Sequence, residues 1–135
     1  MDYEQIRAFR NEKNFFGRQL GIYVEELRPG YARAVKTVTE EDLNPLQVPH
    51  GGVYFTLADT ACGSAMAARG FAVTIDCSFH FLKSAKAGDK LTAEAHELRS
   101  GRSVCVLEAR VTGEDGELLA MGVFTFRRLD EHANP

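Results

Sequence analysis

The longest stretch of low polarity in the chain runs from residue 51 to residue 68, and Asp59 is its one charged residue. Apolar side chains recur there at helical spacing, at positions 54, 57, 58, 61, 62 and 65, which predicts a helix rather than a strand. Arg69 and Gly70 suit a helix C-terminus, so we predict one helix over about residues 51–69. A helix with so little charge is usually buried on most sides, and the rest of the chain is expected to wrap around it.

Alternating apolar and polar positions on both sides of this helix predict six strands. Two precede the helix, at residues 21–27 and 31–39, and four follow it, at residues 71–84, 91–98, 103–112 and 118–126. Strict alternation in the first strand after the helix places Val73, Ile75, Cys77, Phe79 and Phe81 on one face, and Thr74, Asp76, Ser78 and His80 on the other. The order of elements predicts an α+β fold, a single domain with an antiparallel six-stranded sheet wrapped around one long buried helix.

The two ends of the chain complete the predicted domain organisation. Residues 1–18 mix aromatic and charged side chains and predict an amphipathic N-terminal helix over about residues 2–16. The sheet and its helix form the main domain, residues 19–128. We assign residues 129–135 to a flexible tail and expect the charged segment from Arg127 onwards to fray.

Composition narrows the class of protein. A chain of 135 residues, 44% hydrophobic and 26% charged, suits one soluble domain with a substantial core. The net charge of −3, with scattered basic residues, argues against a nucleic-acid partner. We expect neither a signal peptide nor a membrane span. The histidines show no metal-ligand spacing, so no metal is predicted.

The three cysteines, Cys62, Cys77 and Cys105, lie in apolar segments and form no CxxC pair. This pattern predicts buried, reduced thiols in a cytoplasmic protein. We interpret Cys62 as a small core residue rather than a nucleophile, because no cation close in sequence would lower its pKa.

Asp59 is not explained by the helix that contains it. Aspartate is a poor residue for a helix interior, and Asp59 lies too far from the helix start to cap it. Burying a carboxylate without a partner is costly. Asp59 is therefore either a structural carboxylate bonded to a neighbouring strand or a functional group, and the residue alone favours neither.

Asn44, His50-Gly51-Gly52 and Asp59 follow one another at spacings that resemble the motif of the hotdog-fold acyl-CoA thioesterases, most closely the PaaI-like branch. The segments at residues 74–82 and 87–89 are similar to the strand and turn that follow the helix in that family, and the resemblance covers about residues 20–127. It implies hydrolysis of aryl- or short- to medium-chain acyl-CoA to the free acid and CoA. It implies no cofactor, since coenzyme A is part of the substrate.

The chemistry of this motif can also be argued from the residues. The first amide N–H groups of a helix lack internal acceptors, and glycine lets a substrate carbonyl approach them closely. The N–H of Gly51 is thus a candidate oxyanion donor, with a simple tight turn as the alternative, and Asp59 is a candidate general base or nucleophile. The eight residues between them span about 12 Å of helix, too far to serve one carbonyl. We therefore expect a site shared across a two-fold homodimer. Separately, we expect the dimers to pair into a homotetramer.

Three further candidates each have two interpretations. Asn44 either donates to the thioester carbonyl or holds the attacking water, or is an ordinary turn residue before Pro45. His50 either orients Asn44 and its loop or is a helix N-terminal histidine with a backbone partner. The resemblance gives Thr74 a part in positioning water, and the alternative is an exposed strand threonine.

The candidate substrate-binding residues are Gly52, Gln47, Tyr54, Phe55 and Arg102. Gln47 stands where the family usually has glycine, which affects the choice of substrate more than the chemistry. Tyr54 and Phe55 are candidate walls of the acyl pocket. Arg102 is a candidate partner for the CoA phosphates, with a solvated surface charge as the alternative.

Two other functions use the same fold. A non-catalytic acyl-CoA-binding hotdog protein is expected to lack the helix carboxylate and to carry a DNA-binding segment, and Asp59 argues against it. A hotdog enoyl-CoA hydratase pairs an aspartate with a catalytic histidine in a differently spaced motif, and the place of His50 at the helix start argues against that.

Overall fold

The computed structural model describes residues 1–129, so of the predicted tail at 129–135 all but Leu129 lies outside the described residues. Within them the elements are α1 (Tyr3–Lys13), α2 (Phe15–Gln19), β1 (Tyr23–Arg28), β2 (Tyr31–Thr37), a 3₁₀ turn (Glu40–Asp42), α3 (Gly51–Ala67), β3 (Ala72–Phe81), β4 (Lys90–Ser100), β5 (Val104–Thr112) and β6 (Leu118–Arg128).

The six strands form one sheet in the order β1-β2-β4-β5-β6-β3, with every neighbouring pair antiparallel. Helix α3 packs against the sheet, and its side chains at Leu57, Ala58, Ala61 and Cys62 have no solvent exposure. The predicted α+β fold, with a six-stranded antiparallel sheet around one long helix, is therefore confirmed.

The N-terminal segment is two helices rather than the predicted single one. Asn14 ends α1 and begins α2, and its side-chain oxygen accepts a hydrogen bond from Gly17 N at 3.2 Å. Asparagine offers the backbone such local bonds and thereby interrupts a helix. Helix α1 is fixed to β1 by two hydrogen bonds between Asn11 and Val24, of 2.9 and 2.8 Å.

Several boundaries also differ from the prediction, among them the C-terminal ends of α3 and β6. Helix α3 ends at Ala67, two residues before the predicted end at residue 69. Strand β6 continues to Arg128, and Arg127 pairs with Val104 of β5 and Val73 of β3. The expectation of fraying was wrong for Arg127 and Arg128, because both residues are paired in the sheet. The segment after residue 129 lies outside the described residues.

A β-bulge in β3 overturns the predicted alternation of its first half. The register against β6 shifts between Thr74 and Asp76, and a shift of one residue moves the following side chains to the other face of a sheet. Thr74 turns towards α3, whereas Val73 and Ile75 are 46% and 53% exposed. The bulge thus places a hydroxyl, and not an aliphatic side chain, against the central helix.

A buried ion pair holds the loop that precedes α3. Lys36 Nζ lies 2.8 Å from Asp42 Oδ2, and the two side chains are only 3% and 5% exposed. The same carboxylate accepts the N–H of Thr39, and the carbonyl of Asp42 accepts the N–H of His50. The pair therefore connects β2 to the residue at which α3 begins.

We expect Lys36→Met to lower the free energy of unfolding by about 3 kcal/mol or more, because it leaves the Asp42 carboxylate buried without its cation. Lys83→Met is the matched control, since Lys83 pairs with Glu117 in an exposed ion pair and such pairs contribute little. Urea unfolding of both variants measures the difference. Equal losses in the two variants would show that the Lys36 pair is not important for stability.

Candidate active site

Asp59 is hydrogen-bonded to β3 through the bulged residue. It lies half-buried in the middle of α3, and Thr74 Oγ1 donates to Asp59 Oδ1 at 2.7 Å. One carboxylate oxygen is thereby oriented, and Oδ2 remains able to accept a proton or to attack. Thr74 is half-buried and is not the exposed strand threonine of the alternative interpretation.

The start of α3 leaves one amide available. His50 is the N-cap, and its Nδ1 accepts the N–H of Gly52 at 2.8 Å. The N–H of Val53 bonds to the carbonyl of His50 at 2.9 Å. Among residues 1–129 the N–H of Gly51 has no acceptor, so it is the amide that a ligand can use. His50 thus has the backbone partner of the second interpretation, and Gly52 contributes its amide to the cap.

Asn44 closes the loop before α3 and faces the same space as Gly51. Its Oδ1 accepts the N–H of Leu46 at 2.9 Å and that of Val48 at 3.4 Å. These bonds make it a turn residue, but its side-chain NH₂ has no acceptor in the described part of the chain. Asn44, Gly51 and Tyr54 line one pocket of about 410 Å³, so amide donors from the loop and the helix converge there.

Of the other substrate-binding candidates, Tyr54 lines this pocket, whereas Gln47, Phe55 and Arg102 lie elsewhere. Tyr54 is 4% exposed, and its Oη accepts the N–H of Ala85 at 2.9 Å, which fixes the wall beneath the pocket. Gln47 adopts φ 67°, a left-handed conformation that favours glycine. Its side chain is exposed and does not line the pocket. Phe55 packs on other aromatic rings of the core, and Arg102 is exposed in the β4–β5 turn.

Within one chain the two halves of the motif lie at opposite ends of β3. A Cβ atom on Gly51 would lie 3.0 Å from Cε1 of Phe81, the last residue of the strand. Asp59 contacts Thr74, which lies near the first residue of β3. The structure therefore groups Asn44 with Gly51, and Asp59 with Thr74, but leaves the two groups apart.

The structure also reveals a residue that we did not predict from the sequence. Arg10 of α1 donates through Nε to Ser64 Oγ at 3.1 Å and lies beside α3. Burial lowers the pKa of Arg10, and the charge of Asp59 acts in the opposite direction. A signal was available, because Arg10 lies one helical turn after Ile6, which packs against the core.

Cysteines and metal-ligating groups add no further chemistry to this region. Cys62 and Cys105 are buried, Cys77 is half-buried, and all three are free thiols. Cys62 has no solvent exposure, which confirms that it is a core residue, and this burial raises the pKa of its thiol well above the usual range. Residues 1–129 contain no cluster of three or more His, Cys, Asp or Glu side chains suited to a metal ion. No helix in the described part of the chain has the length and apolar character needed to span a bilayer.

A six-stranded antiparallel sheet around one central helix, with a strand-bonded carboxylate in that helix, defines a hotdog-fold hydrolase. The family model of the thioesterase superfamily matches residues 46–120, and the chain belongs to this superfamily. The matched segment contains His50, Gly51, Asp59 and Thr74.

Known relatives refine this assignment. The acyl-coenzyme A thioesterase PaaI of Escherichia coli is 34% identical over 111 residues, which cover 82% of this chain and 79% of PaaI. The structure of E. coli PaaI superposes with a TM-score of 0.89 at 31% identity, covering 93% of this chain and 92% of that chain. A hypothetical thioesterase protein from Streptococcus pneumoniae, solved with coenzyme A, gives a TM-score of 0.75 at 30% identity, covering 78% of this chain and 86% of that chain. The predicted family is confirmed: the protein is a PaaI-like hotdog thioester hydrolase.

Proposed function

We propose that this protein hydrolyses acyl-CoA thioesters to the free acid and CoA, in sites that two copies of the chain form together. The observation that carries the proposal is the hydrogen bond from Thr74 to Asp59, which orients a carboxylate in an otherwise apolar helix. CoA as the thiol carrier is supported by the name of the E. coli relative and by the coenzyme A bound to the S. pneumoniae protein.

The two groups of residues divide the chemistry between them. The thioester carbonyl oxygen accepts the N–H of Gly51, at the positive end of the α3 dipole, and the NH₂ of Asn44 donates beside it. Asp59 either takes a proton from the attacking water or attacks the carbonyl carbon itself, and in both routes Thr74 holds its other oxygen. In both routes the C–S bond breaks and CoA leaves as the thiolate. In the first route the water oxygen becomes part of the acid, and the proton on Asp59 passes to the thiolate. In the second route a water molecule hydrolyses the mixed anhydride, which releases the acid and restores the Asp59 carboxylate. Base and oxyanion donors are all supplied by the chain, so the proposed reaction uses no metal or cofactor.

The topology supports a shared site. Strand β3 is at the edge of the sheet and pairs only with β6 among the described strands. If two copies pair through β3 about a two-fold axis near Cys77, Phe81 of one copy lies beside Thr74 of the other. Gly51, which contacts Phe81, then faces Asp59 of the second copy. Gly51 and Asp59, which lie apart within one chain, thereby meet between the two chains, and each dimer has two sites.

The side chains of β3 support the same arrangement. Val73, Ile75 and Phe81 are 46%, 53% and 59% exposed on this edge strand. An unpaired edge with exposed apolar side chains is a template for pairing with another strand. A dimer would satisfy the free edge and cover these side chains. We propose in addition that the enzyme works in the cytoplasm and that its dimers pair further into tetramers.

Release of free thiol from a panel of aryl, short-chain and medium-chain CoA esters tests this function. We expect hydrolysis of at least one ester with kcat/KM of about 10⁴ M⁻¹s⁻¹ or more. Light scattering should give a mass that is twice the chain mass of 14.9 kDa or a multiple of that. A fully active monomer would contradict the shared site, and the absence of hydrolysis from every ester would contradict CoA esters as substrates.

A further inference from the structure

Arg10 carries a positive charge that no carboxylate contacts within residues 1–129, although the charge of Asp59 acts on it from a distance. Its Nε–H is used by Ser64, whose own hydroxyl donates to the carbonyl of Thr60 at 2.7 Å. No ion pair within residues 1–129 includes Arg10, and its two terminal NH₂ groups have no acceptor there. A partly buried cation with no anion in contact is costly to maintain, so an anion that docked on its free NH₂ groups would be stabilised.

The guanidinium borders a pocket of about 250 Å³ between α1, the second half of α3 and the start of β3. The other lining side chains are mainly apolar and include Phe9, Ala67 and Phe71. The absence of a side chain at Gly63 leaves space for the guanidinium, since a Cβ atom there would lie 3.1 Å from Nη2 of Arg10. The pocket therefore combines apolar walls with one cationic end.

This pocket lies close to the proposed reaction centre. Gly63 is four residues after Asp59 and on the same face of α3, which corresponds to about 6 Å along the helix axis. The charges of Arg10 and Asp59 influence each other, as expected of neighbouring groups. An acyl chain attacked beside Asp59 would thus reach Arg10 after about six carbon atoms.

We propose that this pocket receives the acyl part of the substrate and that Arg10 binds a carboxylate on that acyl part, so that the preferred substrates are CoA monothioesters of dicarboxylic acids. This inference rests on the proposed thioesterase function. The two terminal NH₂ groups of a guanidinium can donate two parallel hydrogen bonds to one carboxylate. A fully hydrocarbon acyl chain fills the apolar part of the pocket but leaves the cation unpaired.

Comparison of adipyl-CoA with hexanoyl-CoA tests the proposal, because the two acyl chains have equal length and differ in the terminal carboxylate. We expect the wild-type kcat/KM to favour adipyl-CoA by about tenfold or more, the usual effect of a charge-assisted hydrogen bond. Arg10→Met should reduce this ratio to near one, and Arg10→Lys should reduce it by less. The control Arg18→Met removes an exposed arginine of α2 and should keep the wild-type ratio.

A second measurement uses only the wild-type protein, so a variant that folds poorly cannot affect it. Free adipate should inhibit wild-type hydrolysis of hexanoyl-CoA more strongly than free hexanoate does. Equal wild-type rates for the two esters, or a ratio that Arg10→Met leaves unchanged, would overturn this inference but leave the thioesterase function standing. Failure to hydrolyse any CoA ester would instead overturn the proposed function itself.

Discussion

Replacement of Asp59 by asparagine is expected to lower kcat for acyl-CoA hydrolysis on the order of a thousandfold, the usual contribution of a general base. The amide can neither take a proton from water at neutral pH nor attack a carbonyl carbon. A loss of activity is expected whichever of the two routes the enzyme follows.

The variant should fold, and this makes the loss interpretable. Asparagine has nearly the same shape as aspartate, and its Oδ1 can still accept the hydrogen bond that Thr74 donates at 2.7 Å in the wild type. The structure gives Asp59 no ion-pair contact among the described residues, so the change breaks no ion pair. Thermal unfolding should therefore differ little from that of the wild type.

Thiol release at saturating substrate measures kcat, and binding of coenzyme A by calorimetry shows whether the substrate site survives. Glu114→Gln is the control, because it also removes one negative charge but from an exposed turn between β5 and β6. It should retain the wild-type rate. An Asp59→Asn protein that kept more than about a tenth of wild-type kcat would exclude Asp59 as base or nucleophile.

The fold could be predicted from the sequence because the strongest signals were long and periodic. The apolar stretch at residues 51–68 has room for only one element, and the alternating segments on either side of it are strands of ordinary length. Each of these patterns shows which face of an element is buried, and all the elements bury that face in the same core. Local chemistry was harder to predict: Asn14 breaks the N-terminal helix by a side-chain hydrogen bond that competes with helix continuation.

The candidate site could be predicted where its residues are close in sequence or match the family motif. It was harder to predict where a side chain's position depends on the register between two strands. Asp59 was noticeable as a carboxylate in an apolar helix. Alternation alone placed Thr74 on the solvent side of β3, and only the bulge, which depends on pairing with β6, brings it to Asp59. Arg10 was missed because it is far away in sequence and reaches α3 through the packing of α1.

The shared site predicts that two inactive variants restore activity when they are combined. Gly51→Val should reduce kcat by about a hundredfold, because its side chain would crowd Phe81 and block approach to the amide at position 51. Asp59→Asn is inactive for the reason given above. In a heterodimer of the two variants, one site has an intact Gly51 from one chain and an intact Asp59 from the other, while the second site has neither.

Equal amounts of the two variants, unfolded and refolded together, should regain about one quarter of wild-type activity, because half of the dimers are mixed and each has one of two sites intact. The same variants mixed without unfolding should gain activity only as fast as the chains exchange. As a control, Asp59→Asn refolded with the double variant Gly51→Val/Asp59→Asn forms mixed dimers in which no site is intact, and it should stay inactive.

The outcome separates two arrangements of the same residues. If Gly51 and Asp59 of one chain served one carbonyl, every chain in the mixture would have a defective site and refolding would restore nothing. The separation of these residues, about 12 Å along α3, argues against that arrangement. No recovery in a sample whose mixed dimers are demonstrated by mass spectrometry would therefore require the thioester to bind within a single chain, and the pairing through β3 would lose its part in catalysis.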